Sequence, residues 1–320
     1  MPRSAVRHDV ELMLVVLFWA FNVTVVKICL SAMEPLAFNL ARFGCAAAVL
    51  LALTLAIDGP PRLARRDAAM LALLGALGHT LYQLCFVLGL ARTSASSTAL
   101  IFGSTPVVVA LLSRVAGHER VGWRGAAAAG LAFAGVFLIV QGGGGPSPGR
   151  GPGSATAGDL LVVGAVICWS GYTVLSRDLL TRHSPLRVTA LSLSFGTLLM
   201  VPVCLPAVLR QDWGAVPVTG WIGIAYSFLF ALVISYILWY RSVRAVGNLR
   251  TALYSNLVPV FGTLFGVWLL GERLGAGLAS GGACILGGIL LTRLGPPAPA
   301  PQPPVHEAAA AAAEPGNPSA

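Results

Sequence analysis

His79, Tyr82, Gln83 and Phe86 stand at i, i+3, i+4 and i+7 within the apolar run "LGHTLYQLCFVLGL". At that spacing they share one face of a helix. An imidazole, a phenol and a carboxamide on one stripe can hydrogen-bond and stack, and His79 can also exchange a proton near neutral pH. In an apolar helix such a stripe faces other protein or a cavity. Interhelical hydrogen bonding is the bland use of it; contact with a small organic solute is the sharper one and is favoured for the face as a whole. Trp19 and Asn22 lie one turn apart, as do Trp169 and Tyr172. Each pair offers an aromatic wall with a polar group to orient a solute. Tyr236 and Trp239 occupy comparable positions later in the chain, with Tyr226 and Tyr254 as weaker candidates. For any one of these aromatics, plain packing is the commoner role.

Arg42 falls about a third of the way into an apolar run. It can bind a carboxylate or phosphate. It can equally snorkel to the interface or pair with Glu34, and this structural role is preferred. Every Asp and Glu lies at the end of an apolar run, in a loop or in a tail. His79 is therefore the mid-run group suited to proton exchange. No His-Glu-x-x-His, no pair of mid-run carboxylates and no phosphate-binding Gly-x-x-x-x-Gly-Lys-Ser/Thr occurs, so enzymatic chemistry and direct ATP-driven work are not expected. The six cysteines sit in apolar runs without zinc-type spacing, and no metal or cofactor is expected.

The elements that must position these residues are membrane spans. Only 10% of the 320 residues are charged, and the mean hydropathy is +0.80. Apolar runs long enough to cross a hydrocarbon core recur at 10–31, 35–57, 68–90, 95–115, 123–141, 159–180, 187–208, 217–240, 250–270 and 275–293. The expected class is an all-α integral membrane protein with ten transmembrane helices, the first retained as a helix. Of the 21 Lys and Arg, Lys27 and Arg42 fall within spans, and Arg92, Arg150, Arg210 and Arg273 fall on one side. The other fifteen fall on the opposite side. That bias places both termini in the cytoplasm. It also accounts for the net charge of +9 without a nucleic-acid partner.

The chain repeats itself. In "GSTPVVVALLSRVAGHERVG" and "SNLVPVFGTLFGVWLLGERLG", Pro106 and Pro259 are each followed thirteen residues later by Glu119 and Glu272. Trp19, Lys27 and Pro35 recur 150 residues on as Trp169, Arg177 and Pro185. Two landmark sets in the same order mark a duplication. Five spans per half is odd, so the halves enter the membrane inverted, an arrangement suited to alternating access. The expected organisation is a tail over 1–9, repeats over 10–141 and 159–293, a Gly/Pro-rich linker over 142–158 and a disordered tail over 294–320. Pro106 and Pro259 break their helices and free the carbonyls of Phe102 and Ser255. Ser104, Thr105, Ser255 and Asn256 are placed to satisfy those carbonyls or to touch solute. Glu119 and Glu272 read as helix-end or gate contacts.

The stretch from Trp19-Ala20-Phe21-Asn22 to Lys27, Pro35 with Arg42 and Phe43, "GLARTSASSTALIFGSTPVVVALL" and Glu119-Arg120 resemble the EamA-type family of the drug/metabolite transporter superfamily. The Trp169, Pro259 and Glu272 phrases are the second-half counterparts, and the likeness covers roughly 10–293. Arg42 departs from the duplication, since Ser192 stands at the matching place. The resemblance implies a ten-helix secondary transporter in the bacterial inner membrane, moving a small metabolite or drug, often outward. Its partners would be that solute and lipid. A membrane-embedded enzyme and a non-transporting sensor are the alternatives. Exchange, facilitated diffusion or proton coupling through His79 would drive it, and the sequence assigns no oligomeric state.

Overall fold

The structure, a computed structural model, describes residues 3–60, 63–117, 123–142, 154–246 and 254–293. Glu119, most of the linker and the C-terminal tail lie outside these residues. Every regular element among the described residues is helical. Helix α1 runs Arg3–Cys29 and α2 Pro35–Asp58. Pro35 opens α2 in its first turn, where a missing N–H costs nothing. Helix α3, Arg65–Arg92, carries a π-helical stretch at Ala76–Leu81. Helix α4 is Ala95–Phe102 and α5 Thr105–Val115, separated by a turn at Gly103 and Ser104. Helix α6 is Trp123–Gly142, α7 Ser154–Arg182 and α8 Pro185–Arg210. Helix α9 covers 218–246 with a second π-helical stretch at Ser227–Ile234. Helices α10, Val258–Leu270, and α11, Ala276–Arg293, complete the set.

Counting α4 and α5 together as Ala95–Val115, seven helical stretches among the described residues are long and apolar enough to cross a membrane. Three further apolar helices are shorter, at Gly125–Gln141, Val258–Leu270 and Ala276–Leu291. The expected span at 250–270 is described only from Tyr254 onward. Exposed Leu198, Leu209, Trp268 and Leu290 sit on outer helix faces, as lipid-facing residues do where hydrocarbon is the solvent.

Proline chemistry shifts the expected breaks. Pro106 and Pro259 are not themselves the interruptions: each is the second residue of the helix that follows one. The turns lie three residues earlier, at 103–104 and 256–257. A proline is tolerated in a first helical turn, so the chain stops before it and restarts on it. The break in the first half spends its polar groups locally. The Thr105 hydroxyl donates to the Phe102 carbonyl at 2.6 Å, and the Ser104 hydroxyl to Ile101 at 2.7 Å.

Helices α3 and α8 cross at backbone contact. A Cβ on Gly75 would lie 2.6 Å from the Ser192 carbonyl oxygen and 2.7 Å from the Gly196 nitrogen. Only glycine permits this approach. It brings the Thr80 hydroxyl to the Gly196 carbonyl, 2.8 Å away, and lays the polar stripe of α3 against α8.

Candidate functional site

Two aromatic groups are built in the same manner from opposite parts of the chain. On α7, Trp169 packs against Tyr82 of α3 with ring centroids 5.2 Å apart and against Tyr172 at 5.1 Å. Tyr82 stacks on Phe86 at 6.1 Å, and Phe102 closes both rings from the end of α4. On α1, Trp19 packs against Trp239 at 5.1 Å and Tyr236 at 6.4 Å, both on α9. Its indole N–H donates to the Ala231 carbonyl inside the second π-helical stretch. Helices α1 and α7 thus each meet the π-bearing helix distant from them in sequence, α9 and α3 respectively. Phe21 joins the α1 group through Tyr226 and Phe265.

Asn22, one turn past Trp19, is half-buried, and its Oδ1 is enclosed with no donor among the described residues. Tyr254 and Asn256 are half-buried beside the second helix break. Ser104 and Pro259 are buried, whereas Pro106 is exposed.

Arg42 corrects an expectation. It neither snorkels nor meets Glu34: it is only 1% exposed. Its Nε and Nη2 donate to Asn39 Oδ1 at 3.1 and 2.9 Å, and Nη2 donates also to Gln83 Oε1 at 2.7 Å. The guanidinium carbon lies 5.2 Å from the Phe38 ring centre, 5.3 Å from Phe43 and 5.8 Å from Phe86. The reason is geometric. Arg42 stands two turns into α2, where Asn39 on its own helix and Gln83 of α3 receive its guanidinium. The backbone N–H of Glu34 is instead engaged by Gln211.

The α3 stripe divides between two neighbours. Gln83 serves Arg42. His79 is 1% exposed, with Nε2 3.2 Å from the Ser192 hydroxyl and its ring edge-on to Tyr172 at 5.2 Å. Tyr172 Oη lies 3.4 Å from the same hydroxyl. Tyr82 and Phe86 belong to the aromatic group.

Glu272 lies just past the end of α10, after Gly271 closes that helix with left-handed backbone, φ 65°. Its carboxylate accepts from the backbone N–H groups of Ala95 at 2.7 Å and Ser96 at 2.8 Å. Ser94 Oγ accepts from the Ser97 N–H at 2.9 Å. The first N–H groups of α4, which have no partner in their own helix, are satisfied in this way, and the anion sits at the positive end of the helix.

Sequence reasoning passed over one cluster. Asp159 was set aside as a span-end acid, yet it is fully buried in the second turn of α7. Its Oδ1 accepts from Thr93 Oγ1 at 2.6 Å and Ser97 Oγ at 2.7 Å. Lys27 donates to the Leu90 carbonyl at 2.7 Å and to the Thr93 carbonyl. The hydroxyl-rich run "TSASST" was the available signal. At the start of α1, Glu11 takes Arg7 at 3.2 Å, His8 at 2.9 Å and Arg241 of α9 at 3.3 Å. Asp67 of α3 takes Arg182 at 2.7 Å and His183 at 2.8 Å. No group of three or more metal-ligating side chains occurs among the described residues.

Comparison with known proteins adds independent findings. The EamA-like transporter family matches residues 9–141 and again 156–294. The chain is 30% identical over 220 residues to the "Uncharacterized transporter YyaM" of Bacillus subtilis, covering 68% of this chain and 72% of that one. It is 27% identical over 280 residues to the "Probable terminal-alkyne amino-acid exporter" of Streptantibioticus cattleyicolor, covering 88% and 91%. A protein crystal structure superimposes with a TM-score of 0.60 at 21% identity, over 90% of this chain and 96% of that one. That last likeness speaks to fold alone. Two family matches over most of the length, on an all-helical chain with seven spanning helices, make this multi-pass membrane protein a member of the EamA-like transporter family.

Proposed function

We propose that the protein is a secondary transporter of a small organic solute, working by alternating access between two inverted five-helix repeats, 10–141 and 159–293. In this reading ten helices span the bacterial inner membrane, with both termini in the cytoplasm. The observation that carries it is the reciprocal packing of Trp19 on Tyr236 and of Trp169 on Tyr82. Each half lends its first helix to the third helix of the other, so a site between them belongs to both. Two features support the duplication. The π-helical stretches begin 151 residues apart, at Ala76 and Ser227. The helix breaks recur 153 residues apart, at 103–104 and 256–257. π-Helical turns cluster at functional sites, and broken helices expose backbone to a central pathway.

The substrate pathway is assigned to Trp19, Asn22, Tyr82, Trp169, Tyr172, Tyr236, Tyr254 and Asn256, with Ser104 at the first break and His79 and Gln83 behind the wall. Glu272, and Glu119 by its matching position, are assigned to the ends that open and close. Export is the proposed direction, in line with the relative named as an exporter. Exchange or facilitated diffusion is the proposed energetics, because His79 is enclosed by Ser192 and Tyr172. The test is counterflow in proteoliposomes loaded with amino acids, nucleosides, sugars or organic acids. Trans-stimulated flux of one class, lost on Trp169→Ala in a protein that still folds, supports the reading. Absence of flux for every class would defeat it.

A further inference from the structure

Among the described residues the buried guanidinium of Arg42 has no carboxylate to balance it. Among the described residues no Asp or Glu comes within ion-pair distance, and its neighbours are two carboxamides and three phenyl rings. Nε and Nη2 are committed to Asn39 and Gln83, while among the described residues no hydrogen bond leaves Nη1. Carboxamide oxygens and ring faces lower the cost of holding a cation away from water. They leave its net charge in place, and an unbalanced charge inside a membrane protein is costly and marks function. The position is also single. Ser192 stands where the duplication would put a second arginine, so the site holds one charge and not a symmetric pair.

The rings around Arg42 lead to the aromatic wall. Phe86 lies beneath the guanidinium and stacks on Tyr82, which packs on Trp169. A cation is thus continuous with an apolar, flat-sided surface. We propose, resting on the transporter reading above, that the solute is an organic acid whose carboxylate is received by Arg42 and whose apolar body lies on Phe86, Tyr82 and Trp169. A carboxylate carries one negative charge and cancels the one positive charge. A phosphate dianion would leave an excess negative charge among phenyl rings, which cannot solvate it.

The test uses the purified full chain in detergent and three probes that share a ring: phenylacetate, phenylacetamide and phenyl phosphate. Thermal stabilisation and calorimetry give binding for each. Phenylacetate is expected to bind at least roughly tenfold more tightly than either of the others, the scale of a charge-assisted hydrogen bond. In Arg42→Gln, verified as folded by its elution and helical signal, that preference for acid over amide is expected to vanish. Equal binding of acid and amide by the wild type overturns the proposal even if Arg42→Gln does not fold. Tighter binding of phenyl phosphate overturns the choice of carboxylate. Arg42→Gln that keeps the preference overturns the role of Arg42. Binding and counterflow of neutral or cationic solutes alone would leave the transporter reading standing and remove this one. Absence of binding and flux for every class would remove both.

Discussion

The Trp19 indole nitrogen and the Ala231 carbonyl oxygen, 212 residues apart in sequence, lie 2.9 Å from each other. The bond ties α1 to a π-helical stretch of α9, where the helical ladder is irregular and carbonyls are open to side-chain donors. Trp19→Phe keeps a smaller aromatic ring, removes the donor and loses part of the contact with Trp239 and Tyr236. It should lower stability by at least about 1 kcal/mol, the scale of an interhelical hydrogen bond in a membrane protein, seen as a reduced melting temperature in detergent. Trp19→Ala should cost more, since the contacts to Trp239 and Tyr236 go with it.

The α3–α8 crossing makes a sharper prediction. Gly75→Leu puts a side chain where the backbone of Ser192 and Gly196 already lies, and backbone cannot move aside cheaply. A loss above about 3 kcal/mol is expected, enough to deplete the folded protein from membranes. Gly44→Ala is the control: a Cβ there meets nothing within 4 Å, and the variant should accumulate like the wild type. Equal yields of the two variants would mean that the crossing is looser than described.

Glu272→Ala strips two backbone N–H groups of their acceptor and removes a negative charge from a helix start. A loss of about 1 kcal/mol is expected, this carboxylate being half-buried and partly screened. Glu272→Gln should fall between, because its one carbonyl oxygen can still serve one of the two N–H groups. A melting series in the order wild type, Gln, Ala is the expected result; Gln no better than Ala would mean the charge carries the whole effect.

His79→Gln addresses the energetics. A glutamine can keep a hydrogen bond to the Ser192 hydroxyl and cannot titrate. Flux measured across roughly pH 5 to 8, where imidazoles change charge, should keep its shape in the variant. A profile flattened by the substitution would assign proton coupling to His79 and overturn the exchange or facilitator reading.

The helical class, the membrane and the position of both helix breaks to within three residues were legible, because hydropathy and proline chemistry act locally. The π-helical stretches were not: an apolar run such as Ser227–Ile234 reads the same at either helical pitch, and the difference arises from packing against α1 and α2. Arg42 was recognisable as exceptional, yet its surroundings depend on how α2 is rotated about its axis, which brings Asn39 and Gln83 to it and keeps Glu34 away. Asp159 was misjudged for a related reason. Its nearness to a helix start suggested water, whereas the start of α7 is covered by Thr93 and Ser97. The cap on α4 was hidden entirely, since nothing in the letters of Ala95 or Ser96 announces that a carboxylate 176 residues away will find their amides.

That cap leaves an unusual trace in inheritance. Glu272 grips peptide N–H groups, so the letters at 95 and 96 answer to what their buried side chains pack against and not to the cap. An acid tethered in this way has no partner position whose letter must change in step with its own. Methods that find contacts through paired substitutions will pass over it, and one of the ties between distant parts of this chain will look, in any comparison of sequences, like a lone glutamate with nothing to do.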